Sequence, residues 1–456
     1  MTTKYDAIVV GSGSGMFVVY EAVFRGLSVA LVDKGPLGGT CPNLGCIPSK
    51  MLMFPADRIV EIQEARKLGV DASVADIDFP LIMERMWRTV EEAQQRMSDS
   101  LSNLRGLALL RGEGKFVGDH ELEVNGERLS ADKFFIATGS RPVIPAIAGL
   151  ETIDFLTTET LLRLQNRPKS MAIIGGGYIG VEYAHFFAAM GTSVTLIEAA
   201  ERLVPGEEPE IAALLKHALR KRMQVLTGIE IESMVQGPRD VLLNVREQPS
   251  GAHFAVSVDT VMVAAGRRSN ADLLQVEQTG VRTDSRGFVS VDAHMRTNIP
   301  GIYAVGDAIG KQMFRHIANL EATVAARHAF AADDTPMDYS AAPHAVYSYP
   351  QIASVGLTAA QAKENHHILV GRARYMDTAT GEAMMETDGF AKAIVDRDTR
   401  QILGFHVIGP HAPTLVQEVI NAMVSGGHIR EIAASIHIHP GLPELVQSAF
   451  RNLAAE

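Results

Sequence analysis

The sequence predicts an α/β chain in which two Rossmann-like nucleotide-binding domains are followed by a C-terminal α+β domain used for association. Three observations lead there. A length of 456 residues exceeds the size at which a single hydrophobic core keeps growing. Two separate stretches, starting at Tyr5 and at Met171, read strand, glycine turn, helix, strand. From about Pro343 the pattern changes to alternating strands and helices without glycine-rich loops.

The first unit runs from a strand over 5–10 into Gly11-Ser12-Gly13-Ser14-Gly15, a helix to about Arg25, and a strand over 27–32 that ends at Asp33. Uninterrupted apolar runs of this kind suit parallel strands buried on both faces. Met16 stands where the third glycine of the dinucleotide fingerprint belongs, and Asp33 is placed either to hold a ribose or to cap the strand end. Residues 53–68 and 78–105 carry helical periodicity and read as a helical excursion packed on the first domain.

The second unit matches the fingerprint in full: a strand over 171–174, Gly175-Gly176-Gly177-Tyr178-Ile179-Gly180, a helix to about Met190, a strand over 193–197, and Glu198 18 residues past Gly180. Gly175 permits the tight turn, Gly177 lets backbone approach a pyrophosphate at the helix N-terminus, and Gly180 allows close helix–sheet contact. Glu198 can accept hydrogen bonds from a ribose diol and repels a 2′-phosphate, which favours NAD over NADP. Two such units imply two bound nucleotides. Strand-like runs over 261–264 and 302–305 lead into Gly266-Arg267 and Gly306-Asp307, beyond the carboxyl ends of strands, where open sheets bind ligands.

Composition narrows the function classes. Apolar residues make up 46% and charged residues 21%, as in a globular enzyme, and many of the 40 glycines lie where strands meet helices. A net charge of -11 without a basic stripe disfavours nucleic acid. The N-terminus lacks the pattern of a signal peptide and no apolar run reaches a membrane span, so a cytoplasmic location and no membrane association are expected.

Only two cysteines occur, Cys41 and Cys46. In a reducing compartment such a pair is either a transient catalytic disulfide or two unrelated buried thiols. A metal site would need further ligands, and none with suitable spacing lies near. In a regular helix the two Cα atoms would be about 8 to 9 Å apart, beyond the roughly 7 Å that a disulfide tolerates. Pro42 and Gly45 can distort the turn enough to allow one. Near the C-terminus His439 and Glu444 form a candidate acid–base pair, since a carboxylate supports a protonated imidazole near neutral pH; a structural pair is the alternative. His437 would face the opposite way on an extended segment, and His366 and His367 read as solvated.

With these residues in view, the chain resembles the pyridine nucleotide–disulfide oxidoreductases from Tyr5 to about Leu453. The run Gly38-Gly39-Thr40-Cys41-Pro42-Asn43-Leu44-Gly45-Cys46-Ile47-Pro48-Ser49-Lys50 is specific to their two-cysteine branch. Ala137-Thr138-Gly139-Ser140-Arg141-Pro142, Gly266-Arg267, Gly306-Asp307 and the segment from His439 to Glu444 follow in the family's order. The resemblance implies an FAD-binding domain over 1–145 and 267–338, an NAD(P)-binding domain over 146–266, and an interface domain over 339–456 that makes a homodimer. It implies a redox disulfide Cys41–Cys46, with Cys46 beside the flavin and Cys41 exchanging with substrate. Lys50 would pair with Glu182, Tyr178 would shield the nicotinamide pocket, and His439 with Glu444 would serve the other subunit. Cofactor contacts are implied at Gly11, Gly13, Gly15, Asp33, Lys34, Gly39, Thr40, Lys50, Ala137, Thr138, Gly139 and Asp307. At the second nucleotide they are implied at Gly175, Gly177, Tyr178, Ile179, Gly180, Glu182, Glu198 and Gly266. No metal is implied.

Within the family the chain is most similar to dihydrolipoamide dehydrogenases. Glu198-Ala199-Ala200-Glu201 stands where NADPH-using branches carry basic residues, and no third cysteine exists for a mercuric reductase or a large thioredoxin reductase. The run from Arg268 to Leu274 and the segment from His439 to Glu444 look like mycothione reductase. The expected partner is therefore a lipoyl-carrying protein, or else a small disulfide substrate. A diaphorase-like flavoprotein with idle cysteines is the reading from another class.

Overall fold

The computed structural model describes residues 2–455. The chain divides into two compact units, one comprising residues up to Met51, Met83–Val143 and Gly266–Asp338, the other Leu52–Ile82, Ile144–Ala265 and everything described from Tyr339 onward.

In the first unit the strand Thr2–Val10 lies between Val29–Asp33 and Glu127–Ile136, parallel to both, with Ala7 opposite Val29 and Lys133. Leu107–Arg111 extends the sheet beyond Val29–Asp33. On its other edge the long strand Glu127–Ile136 serves two further neighbours: its first half pairs with Glu121–Val124, the inner strand of an antiparallel hairpin with Gly114–Gly118, and its last residues with the returning strand Ile302–Ala304. Ala7, Ile8, Val9, Ala30 and Leu31 are completely buried, as continuous apolar runs in a parallel sheet should be. The helices Gly15–Phe24 and Arg315–Ala331 pack against each other on this sheet.

The second unit holds a five-stranded parallel sheet in the order Gln224–Thr227, Ser193–Glu198, Ser170–Ile174, Thr260–Val263, Phe155–Leu156. Its core is shared with an antiparallel three-stranded sheet of Ile229–Gln236, Val241–Glu247 and His253–Val258. The rest is a six-stranded antiparallel sheet built on Ile352–Gly356, Phe390–Asp396 and Ile402–Ile408, covered by the helices Ala412–Val424 and Pro443–Arg451.

Two sequence expectations are corrected. The excursion expected over 53–68 begins earlier, as a helix Cys46–Glu64 continued by a 3-10 turn Ala65–Leu68. Pro48 is tolerated because it lies in the first turn, where an N–H has no intrahelical partner in any case. Residues 52–82, expected with the first domain, belong to the second unit: Asp57 Oδ1 lies 2.8 Å from His185 Nε2, and Phe79 packs on Phe186 with ring centroids 6.1 Å apart. Among the described residues, no helix is long and apolar enough to cross a membrane.

A buried ion pair fastens the parallel sheet's loop to the antiparallel sheet. Lys392 Nζ sits 2.9 Å from Glu208 Oε2, with the two side chains 5% and 3% exposed, and Glu208 Oε1 also accepts from the Ala359 N–H. Lys392→Met would leave that carboxylate buried without its cation and should cost about 3–5 kcal/mol, read as a lowered denaturant midpoint.

Candidate functional site

The first glycine turn and the cysteine segment are built as one piece. Asp33 Oδ2 accepts from the Ser12 N–H (2.7 Å) and Oδ1 from the Gly35 N–H (2.8 Å), so the strand-end acid shapes the turn itself. Ser12 Oγ then accepts from the Gly38 N–H at 2.9 Å. Gly39, at φ +72°, lies so close that a Cβ there would sit 2.8 Å from Gly13 Cα. No other residue type permits that approach. Asn43 is buried and donates to Leu37 O (3.0 Å) and Gly39 O (2.7 Å), while Gln94 Nε2 holds its Oδ1 at 2.8 Å. Arg315, at the start of its helix, donates to Gly38 O at 3.2 Å.

Thr40–Leu44 forms a short helix, Gly45 breaks it at φ −129° and ψ −112°, and the next helix starts at Cys46. The distortion expected from Pro42 and Gly45 is present at Gly45. Both cysteines are free thiols, Cys41 half-buried and Cys46 exposed, and their side chains hydrogen-bond to each other. The pair is electrostatically unequal. The hydrogen bond from Cys41, against the cost of burial and with help from the Lys50 charge, the Cys46 N–H and the Arg315 charge, lowers the Cys46 pKa to about 7. The same hydrogen bond, then burial and the Cys46 charge, push the Cys41 thiol far up.

The two glycine turns share a construction. A Cβ on Gly11 would fall 2.2 Å from Ala137 O, and one on Gly175 would fall 2.4 Å from Ala264 O. They differ where Met16 replaces the third glycine. Gly180 is pressed against Gly175 O, whereas in the first turn Gly15 meets Val9 Cγ1 and Met16 is buried. Thr138 follows the carboxyl end of Glu127–Ile136, and its Oγ1 is buried without a hydrogen-bond partner. An orphan hydroxyl at that edge, beside a glycine cradle, fits a dinucleotide. Asp307, in the turn Gly306–Ala308, accepts from Ser140 Oγ at 2.5 Å, and Arg267 Nε lies 3.6 Å from the same oxygen. Gly139 and Gly266 both have positive φ. Lys34 pairs with Glu113 at 3.0 Å on the surface.

At the second turn Glu198 Oε2 accepts from the Gly176 N–H (2.5 Å) and Oε1 from the Ala200 N–H (2.7 Å). Tyr178 and Ile179 open the helix Tyr178–Ala189, on which Glu182 is buried and accepts from the Tyr347 N–H at 3.0 Å. His439 Nδ1 lies 2.8 Å from Glu444 Oε1, and Glu444 Oε2 accepts from the Gly441 N–H at 3.1 Å. The His439 contact, then the Gly441 N–H, hold the Glu444 carboxyl below its ordinary range. His437 turns the other way, its side chain 4% exposed and 3.2 Å from Glu418. His366, expected to be solvated, instead meets Asp396 at 2.7 Å. Among the described residues no cluster of three or more His, Cys, Asp or Glu side chains could hold a metal.

Asn43, Ser12 and Arg315 are site residues that sequence reasoning missed. Asn43 and Ser12 lie inside the quoted motifs without an individual signal, and Arg315 acts from far along the chain.

Two family models match the chain. Residues 5–329 match the model described as pyridine nucleotide-disulphide oxidoreductase, and 342–450 match its dimerisation domain. A dihydrolipoyl dehydrogenase of Bacillus subtilis (strain 168) is 33% identical over 98% of both chains. A mercuric reductase of Staphylococcus aureus is 31% identical, over 94% of this chain and 79% of its own. The solved structure of the HOCl-induced flavoprotein disulfide reductase RclA from Escherichia coli superposes with a TM-score of 0.87 at 27% identity, covering 98% of this chain and 99% of that one.

Because the Cys46 pKa is lowered, its anion is present above that pKa and lost as pH falls through it. In the reduced protein, ultraviolet thiolate absorbance should rise with a midpoint near pH 7, vanish from that range in Cys46→Ser, and move to higher pH in Arg315→Gln. A single midpoint at the ordinary thiol value would contradict the asymmetry.

Proposed function

The chain belongs to the pyridine nucleotide-disulphide oxidoreductases, and from that premise we propose that it is an FAD-dependent dihydrolipoamide dehydrogenase, oxidising protein-bound dihydrolipoyl groups through Cys41 and Cys46 with NAD as acceptor. FAD and NAD(H) are the cofactors of this family. The observation that carries the reading is the unequal thiol pair. In the oxidised form a substrate thiolate attacks Cys41, and Cys46 departs as the thiolate, a good leaving group because its pKa is lowered to about 7.

Gly11, Gly13, Gly15, Asp33, Lys34, Gly39, Thr40, Lys50, Ala137, Thr138, Gly139 and Asp307 would hold FAD. Gly175, Gly177, Tyr178, Ile179, Gly180, Glu182, Glu198 and Gly266 would serve NAD, and the acid at the end of Ser193–Glu198 supports that choice over NADP. When bound, FAD supplies the two-electron relay between the thiols and NAD. The protein's share is proton and charge control. A carboxylate only accepts hydrogen bonds, so Glu444 keeps the proton of His439 on Nδ1 and leaves Nε2 as the base for the substrate thiol.

His439 has a side chain 73% exposed, and Ile436 and Ile438 beside it are 101% and 70% exposed. An apolar surface carrying a candidate base suits a homodimer in which each subunit lends His439 to the other. A second reading, reduction of a small disulfide by NAD(P)H, draws on the resemblance of the segments 268–274 and 439–444 to mycothione reductase.

Steady-state turnover with dihydrolipoamide and NAD should exceed turnover with mycothione or glutathione disulfide and NADPH; the reverse order would establish the second reading. His439→Gln should slow dithiol turnover by about 10²–10⁴-fold while sparing NADH-dependent reduction of ferricyanide. Equal losses in both assays would remove the histidine from proton transfer.

A further inference from the structure

Behind the second glycine turn lies a buried polar cluster that the thiol chemistry does not use. Glu207 is 2% exposed, at the end of a loop hung on the turn: the Val204 N–H donates to Gly176 O at 2.8 Å and the Glu207 N–H to Val204 O at 2.9 Å. A carboxylate buried this deeply requires donors. His344 Nε2 lies 2.6 Å from Oε1, and Ser354 Oγ donates to Oε2 at 2.7 Å. His344 and Ser354 are direct cross-strand neighbours of the antiparallel pair Pro343–Val346 and Ile352–Gly356, so one face of that ladder presents both donors to one carboxylate.

The third donor is Tyr178, whose hydroxyl hydrogen-bonds Glu207. Burial first, then the Glu207 charge, push the phenol well above its ordinary pKa and keep it protonated. Burial opposes ionisation of Glu207, yet the His344 contact and charge, with the Ser354 hydroxyl, hold its carboxyl below the ordinary value. The Tyr178 ring is also held flat against the His344 ring, with centroids 5.3 Å apart and planes at 19°. Tyr178 is thus fixed at both its face and its tip at the first residue of the helix that follows Gly177.

We propose that Glu207 and His344 form a clamp that positions Tyr178 for the nicotinamide half of the bound pyridine nucleotide. The inference rests on the reading that the second glycine turn binds NAD(H), and assigns Glu207 and His344 as positioning residues that need not touch the nucleotide. The clamp acts on one half of the ligand. Glu198, whose carboxylate accepts from the Gly176 and Ala200 N–H groups, would serve the adenosine ribose and is not part of the cluster.

The test compares NAD with ADP-ribose, which lacks the nicotinamide, by calorimetric titration of the holoenzyme. Glu207→Gln, and His344→Phe, which keeps a stacked ring without its N–H, should each weaken NAD on the order of tenfold while ADP-ribose changes by less than about twofold. Adding Tyr178→Phe to Glu207→Leu, which leaves no acceptor for the phenol, should weaken NAD no further than Glu207→Leu alone, because both changes remove the same hydrogen bond. Should Glu207→Gln fail to fold, Tyr178→Phe alone removes only the hydroxyl and should still separate the two ligands. Parallel losses for both ligands, or unchanged NAD affinity in folded variants, would overturn the clamp. Neither ligand involves a dithiol, so failure of dihydrolipoamide turnover leaves the result intact. Absence of NAD binding by the unsubstituted protein would sink the nucleotide reading and the clamp together.

Discussion

The close contact of Gly39 with Gly13 fixes where the cysteine segment lies. Two backbones meet there with no room for a Cβ, and Ser12, held by Asp33, locks the approach through the Gly38 N–H. The cysteines follow within a few residues, so their place beside the first nucleotide turn is set by main chain. A side chain at Gly39 would push the segment outward, so the approach is held in spite of the entropy that glycine loses on folding.

From that placement the electrostatics follow. Two identical thiols become chemically distinct because one opens a helix within the field of Lys50 and Arg315 while the other is left to donate a hydrogen bond. The hydrogen bond from Cys41 favours the thiolate at Cys46, the cysteine at the helix start. An attackable sulfur and a leaving sulfur are what a directional exchange reaction needs. In the proposed reaction the exposed His439, its Nδ1 held by Glu444, would supply the matching base.

Much of this was legible in the sequence for a physical reason. Where backbones approach closely only glycine fits, so Gly11 and Gly175 mark their turns, and parallel strands buried on both faces leave apolar runs such as those at 7–10 and 29–32. Legibility ended where partners are distant in sequence. Arg315 reaches the cysteine segment, Asn43 ties its carbonyls, and Glu207 meets His344 and Ser354, none with a local pattern. Helical periodicity over 53–68 announced a buried face without naming what buries it, and residues 52–82 accordingly fell into the unexpected unit. Pro48, in the first turn, gives no local sign that this helix already starts at Cys46.

Cys41 and Cys46 would exchange electrons as a pair. Anaerobic reductive titration of the oxidised holoenzyme counts what the protein stores. Uptake of one electron pair beyond that held by the flavin is expected, with two thiols appearing in step. Reduction complete with the flavin's own pair, and no new thiol, would contradict it.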